Sequence, residues 1–190
     1  MKGVTIFLAE GFEDMEAIAT RDVLIRAGIN VNLVSITDEY VVESSHGLTV
    51  SVDSNRGDFE FEEEGTSRED VMIFPGGMPG TRHLSEDADL IRLMREHYQA
   101  GGTVAAICAA PGLVLSQLDS LEGVRFTCFD GFEDGMTAKG AVYTPERAVV
   151  HGRIITGRGA GCAVDFGLAI VEYLRGPEAA AKVRHGLMLD

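Results

Sequence analysis

Val4 to Ala9 is a continuous apolar run, the pattern of a parallel strand buried on both faces, and a glycine-containing turn follows it. Met15, Ile18, Ala19 and Val23 then recur at helical spacing as far as Arg26 and Ala27. Gly28 ends that pattern, Asp14 can cap its start, and Val31 to Ile36 resumes strand character. The result is one βαβ unit, and it recurs. Val71 to Phe74 leads through a glycine turn to a helix near Ser85 to Ala100. Thr103 to Ile107 leads to Cys108 and a helix near Pro111 to Leu118, and Ile154 to Thr156 leads into a helix over Val164 to Leu174. A final helix starts after Gly176, with Pro177 in its first turn. Such alternation predicts an α/β fold with a mostly parallel sheet and helices on both faces. Tyr40 to Glu43 and Leu48 to Asp53 alternate around Ser44 to Gly47 and predict a small hairpin, and His151-Gly152 marks the tip of another.

Composition narrows the class. With 190 residues, 45% of them hydrophobic, and no linker or repeat, the chain is expected to form one soluble domain over 1–190. Its apolar runs are far too short to span a bilayer, and the N-terminus enters a strand-like run directly, so neither membrane insertion nor export is expected. Cys108, Cys128 and Cys162 are odd in number and lack metal-type spacing, which argues against disulfides and zinc and for the cytoplasm. A net charge of -14 opposes binding to nucleic acid. The acidic run Asp58 to Glu64 carries Phe59 and Phe61; it reads as a solvated loop anchored by two aromatic rings, with a site for cations or a basic partner as the alternative.

In doubly wound sheets, ligands bind beyond the carboxyl ends of the strands. Three loops there are unusual: the carboxylate-rich Glu10 to Glu16, the glycine-rich Pro75 to Gly80, and the turn at Cys108. A cysteine lifted onto a strand-to-helix turn, facing the positive end of a helix, can be a thiolate at neutral pH. The alternative for Cys108 is a small buried hydrophobe. If Met15 and Ile18 face the core, Glu16 points toward the crevice, where a partly dry setting would raise its pKa and let its proton bond the sulfur. An exposed first-turn acid is the other reading. The backbone at Gly76 and Gly77 can approach a ligand and stabilise an oxyanion, or form a plain turn. Gly157 to Gly161 lacks full dinucleotide-loop spacing and reads as a tight turn, so no cofactor is expected. His83 and His97 bracket a helix and are expected to be exposed. His46, in the hairpin loop, is the candidate to pair with Cys108.

Taken in order, Gly11 to Glu16, Arg26 to Gly28, Ser45 to Gly47, Phe74 to Gly77, Leu84-Ser85, Cys108, Arg158-Gly159, Asp165 to Glu172 and the alanine-rich tail resemble the ThiJ/PfpI superfamily. The match is to the branch of the Parkinson-disease-linked protein deglycase and bacterial ThiJ-type proteins, and it covers nearly the whole chain. The resemblance implies a flavodoxin-like three-layer sandwich of the class I glutamine amidotransferase-like type, which usually forms a homodimer. It places Cys108 on a nucleophile elbow bonded to Glu16, with backbone at Gly76, Gly77 and Ala109 for an oxyanion, and His46, Cys128, Phe129 and Arg26 as possible pocket residues. It further implies action on small reactive aldehydes or glycated groups, without cofactor or metal. The implied alternative is an oxidative-stress sensor or redox-regulated chaperone acting through oxidation of Cys108. Two positions depart from the superfamily: Ala109 replaces the histidine that follows the nucleophile in protease-type members, and Phe129 stands where the human-type branch has a histidine. The first argues against a protease or amidase.

Overall fold

The computed structural model describes residues 2–58 and 66–189. The first βαβ unit is β1 (Val4–Leu8), α1 (Asp14–Arg26) and β2 (Val31–Ser35), and a hairpin of β3 (Val41–Glu43) and β4 (Thr49–Ser51) follows. Then come β5 (Val71–Phe74), α2 (Gly80–Glu86), α3 (Ala88–Gln99), β6 (Thr103–Ile107) and α4 (Ala110–Leu113). The remainder is β7 (Arg125–Phe126), α5 (Asp134–Thr137), β8 (Val142–Tyr143), β9 (Ala148–His151), β10 (Ile154–Gly157), α6 (Ala163–Arg175) and α7 (Pro177–Gly186). The central sheet has the order β2-β1-β5-β6-β10-β9, parallel except for the antiparallel edge pair of β10 and β9.

Strand side chains alternate between two cores. Ile6, Leu8, Ile73 and Ile107 meet Ala17, Leu24, Phe166 and Val183 from α1, α6 and α7, whereas Phe7, Met72, Phe74 and Ala106 meet Leu84, Met94 and Val114 on the other face. Both faces of the sheet are therefore covered, which accounts for the uninterrupted apolar runs in its strands. Burying a leucine or phenylalanine fully, as at Leu24 and Phe166, contributes about 2 kcal/mol each. The strand order reverses between β1 and β5, so the loops after those strands part and leave a crevice at the carboxyl edge.

The hairpin forms as expected and is tied beside this edge. Gly11 donates its N–H to the Glu43 carbonyl at 2.8 Å, and Ser45 donates to the Phe12 carbonyl at 2.8 Å. The helix expected near Ser85 to Ala100 is instead two, because Asp87 is extended and its carboxylate accepts the N–H groups of Asp89 and Leu90, capping α3. The helix expected after Cys108 shrinks to the single turn of α4 and a 3-10 turn over Leu115–Gln117. Gly112 weakens helix propensity there, and its Cα lies against Phe132, where a β-carbon would collide with that residue's carbonyl. A parallel pair of two-residue strands, β7 with β8, has no counterpart in the expected elements.

Two side-chain expectations are overturned. Met15 and Ile18 are 55% and 37% exposed, and α1 buries Glu16, Ala17, Thr20, Val23 and Leu24 instead. His97 is buried rather than exposed. Its Nε2–H faces the carbonyls of Asp70 and Thr103 at 3.1 Å each, its ring packs on Gly102, and burial lowers its pKa. Residues 59–64 of the acidic run lie outside the described residues. Among the described residues no helix is long and apolar enough to cross a membrane.

Candidate active site

β6 ends at Ile107, and the chain then turns so sharply that Cys108 takes a φ of 66°, a left-handed conformation costing a cysteine about 1 kcal/mol or more. Hydrogen bonds hold it there. Its N–H donates to the Gly157 carbonyl at 3.0 Å, and its own carbonyl accepts the Phe129 N–H at 2.8 Å. The elbow is thus clamped between the chain leaving β10 and the segment after β7.

The loop after β5 closes over the sulfur. At Gly76 a β-carbon would lie 2.5 Å from both Cys108 Cβ and Glu16 Oε2, so only glycine lets the three groups meet. Gly77, at φ 92°, presses its Cα against the Gly11 to Glu13 backbone and locks this loop to the start of α1. Glu16 enters from α1 at 1% exposure. Its Oε2 accepts the Gly76 N–H at 2.7 Å, and its own N–H donates to the Glu13 carboxylate at 2.8 Å. Oε1 is buried with no hydrogen-bond partner among the described residues. The carboxyl and the Cys108 thiol lie together against Gly76, close enough that each acts on the other's proton.

Burial raises the Glu16 pKa to about 7, opposed by the bonds from Cys108 and Gly76 and assisted by the nearby charge of Glu13. Burial, then the Glu16 carboxylate, pushes the Cys108 thiol up to about 12, while the amides of Ala109 and Gly77 act on the sulfur in the opposite direction. The expected thiolate at neutral pH therefore does not follow from this environment. The helix after the elbow is one turn long, too short to supply the assumed dipole, and a carboxylate sits against the sulfur. What the pair can do is exchange a proton: a carboxylate that titrates near neutrality is matched to take the thiol proton as sulfur attacks.

Glu16, Gly76, Gly77, Cys108 and Ala109 lie together, with the Gly76 amide committed to Glu16 rather than free for an oxyanion. His46 pairs through Nδ1 with the Asp14 carboxylate, at an exposed position. Glu13, Asp14 and His46 bring potential ligand atoms within 4.8 Å of one another. Arg26 sits in the last turn of α1, about 15 Å along the helix from Glu16, and pairs with Asp22. Cys128 is fully buried and burial pushes its thiol up to about 12, whereas Phe129 is 52% exposed beside Gly159. Glu13, rather than Asp14, caps α1. The sequence signal for it was available, since an acid three residues before Glu16 stands at the cap position. Gly157 belongs to the segment whose sequence predicts a tight turn, yet its carbonyl holds the elbow.

Compared with known proteins, residues 2–173 match the model of the DJ-1/PfpI family. Protein DJ-1 homolog A of Arabidopsis thaliana is 33% identical over 99% of this chain, and the chain spans about half of that relative, 47% of its length. The Caenorhabditis elegans protein named glutathione-independent glyoxalase DJR-1.2 is 34% identical over 89% of this chain and 86% of its own. The solved structure of oxidized Toxoplasma gondii DJ-1 superposes with a TM-score of 0.87 at 31% identity, covering 97% of each chain.

Proposed function

The chain belongs to the DJ-1/PfpI family, and on that premise we propose that it is a cysteine-dependent enzyme of reactive carbonyls that needs no cofactor and converts methylglyoxal to lactate. The observation that carries this reading is the buried Glu16 carboxyl, bonded to the Gly76 amide and placed beside the Cys108 thiol on its strained turn. The glyoxalase name of the Caenorhabditis elegans relative supports the same chemistry. Sulfur attacks the aldehyde carbon while Glu16 takes the thiol proton and returns it to the new alkoxide, giving a hemithioacetal and a free carboxylate. Glu16 then moves the proton on that carbon to the neighbouring carbonyl carbon, leaving a thioester of the hydroxy acid. Water cleaves the thioester, releasing lactate and restoring the thiol. The Gly77 and Ala109 amides, already directed at the sulfur, are the donors for charge developing on the substrate oxygen. Purified reduced protein is expected to form lactate from methylglyoxal without glutathione, and Cys108→Ser to lower turnover by more than about 100-fold. Folded wild-type protein that forms no lactate would sink the reading.

The partner is a second copy of this chain. Ile18 and Ile25 of α1 line a shallow depression with Val50 of the hairpin, and Met15, Val41 and Leu48 add exposed apolar surface. Sedimentation at micromolar concentration is expected to give twice the chain mass, and Ile18→Glu to give the single mass. A wild type that sediments as a single chain rejects the dimer. Three free thiols suit a reducing compartment such as the cytoplasm.

A further inference from the structure

We propose that Glu13 is the positioning residue of the Cys108–Glu16 pair, tying the first turn of α1 to the glycine loop and presenting its negative charge to the Glu16 carboxyl. The inference rests on Cys108 and Glu16 acting as nucleophile and base.

The geometry is reciprocal. Glu13 donates its N–H to the Gly76 carbonyl at 2.9 Å, while Gly76 donates its own to Glu16 Oε2 at 2.7 Å. The Glu13 carboxylate also accepts the Glu16 N–H at 2.8 Å. One residue therefore fixes where α1 starts, where Glu16 leaves the backbone, and how far the loop stands from the sulfur. Gly77 leaves no slack, because a β-carbon there would collide with the Glu13 nitrogen. The hydrogen bonds could be made by a neutral cap equally well; the charge is the distinguishing feature. A carboxylate beside a second, buried carboxyl opposes its ionisation and keeps its proton available near neutral pH. The groups that act on Glu16 are Cys108 from the elbow, the Gly76 amide from the loop after β5, and Glu13 on its own helix. The hairpin brings His46 to the same end of α1, where it is held by Asp14.

The test is the pH dependence of Cys108 alkylation by iodoacetamide, an uncharged reagent, in the full chain. Sulfur bonds the reagent's carbon, iodide leaves, and the thiol proton passes to Glu16, so the rate rises as Glu16 ionises. Glu13→Gln keeps an oxygen that can cap Glu16 but removes the charge. It is expected to move the rise to lower pH by about half a unit and, Glu16 being then a weaker base, to lower the plateau rate severalfold. Glu13→Asp is expected to retain the wild-type midpoint, and Glu13→Ala to lose both the cap and the charge, with a further drop in rate. A Glu13→Gln profile that superimposes on wild type overturns the proposal, as does a lowered plateau with an unmoved midpoint, which is the mark of a purely structural cap. Because alkylation needs no turnover, lack of lactate formation leaves this test intact.

Discussion

Glu16→Gln is expected to abolish lactate formation and, at pH 8, to raise the melting temperature of the protein. The two effects share one cause. In the folded protein Glu16 titrates near 7, whereas its ordinary value is 4.5. Between those values the folded state holds a proton that the unfolded chain releases, so stability falls as pH rises and the loss is complete above 7. The shift corresponds to about 3 kcal/mol carried by an ionised carboxyl at 1% exposure. Glutamine is neutral at every pH, keeps an oxygen for the Gly76 N–H, and removes this penalty. For a chain of this size the gain is several degrees, roughly 2–4 °C for each kcal/mol recovered. Melting curves from pH 4.5 to 8 should show the variant gaining on wild type as pH rises. Equal slopes for the two proteins would mean that Glu16 ionises in the fold at its ordinary value, with no penalty from burial. Turnover is lost because an amide can neither take the thiol proton nor carry it between carbons.

Gly76→Ala is expected to lower turnover by about 100-fold or more while removing no functional group. The added carbon would lie 2.5 Å from Cys108 Cβ and from Glu16 Oε2, so the thiol and carboxyl must separate. Displacing reacting groups by about 1 Å is enough for a loss of that order. Backbone strain does not confuse the result, because Gly76, unlike Gly77, is not in the left-handed region. Gly161→Ala, where a β-carbon meets open space, is the matched control and should behave as wild type. Lactate assays beside melting curves decide the matter: a folded Gly76→Ala protein within threefold of wild-type turnover would show that the close contact is not needed.

Much of this arrangement is legible in the chain itself, for identifiable reasons. Val4 to Leu8, Val71 to Phe74 and Thr103 to Ile107 read as buried strands because both sheet faces are covered and no polar alternation interrupts them. With those strands placed, the rule for open sheets brings Glu16, Gly76 and Cys108 to one edge. The face of α1 is read the wrong way round for a physical reason. Its buried stripe contains Glu16 and Thr20, so the apolar Met15 and Ile18 attract attention although they point outward. The ionisation state of Cys108 is equally hidden, since it depends on burial and on a carboxylate delivered from helix α1. Asp87 could be read as a cap but lies within an otherwise helical pattern. β7 and β8, two residues each, are too short for any periodicity to register. His97 pairs with carbonyls from two separate segments, which its local sequence does not show.

The clamp on Cys108 also determines when the thiol acquires its special character. Glu16 and Gly76 are 60 residues apart, and Gly157, which holds the elbow, lies far downstream of the cysteine. Such distant closures form late in folding, after the loops between them have lost their entropy. A growing chain whose β10 has not yet been made therefore carries Cys108 as an ordinary thiol with its usual value of 9.0, free to react with whatever electrophile it meets. Burial then suppresses that indiscriminate reactivity in the same step that supplies a base. An unfinished copy thus exposes to aldehydes the same thiol that the finished enzyme would turn on them, and the docking of the last parallel strand ends that exposure.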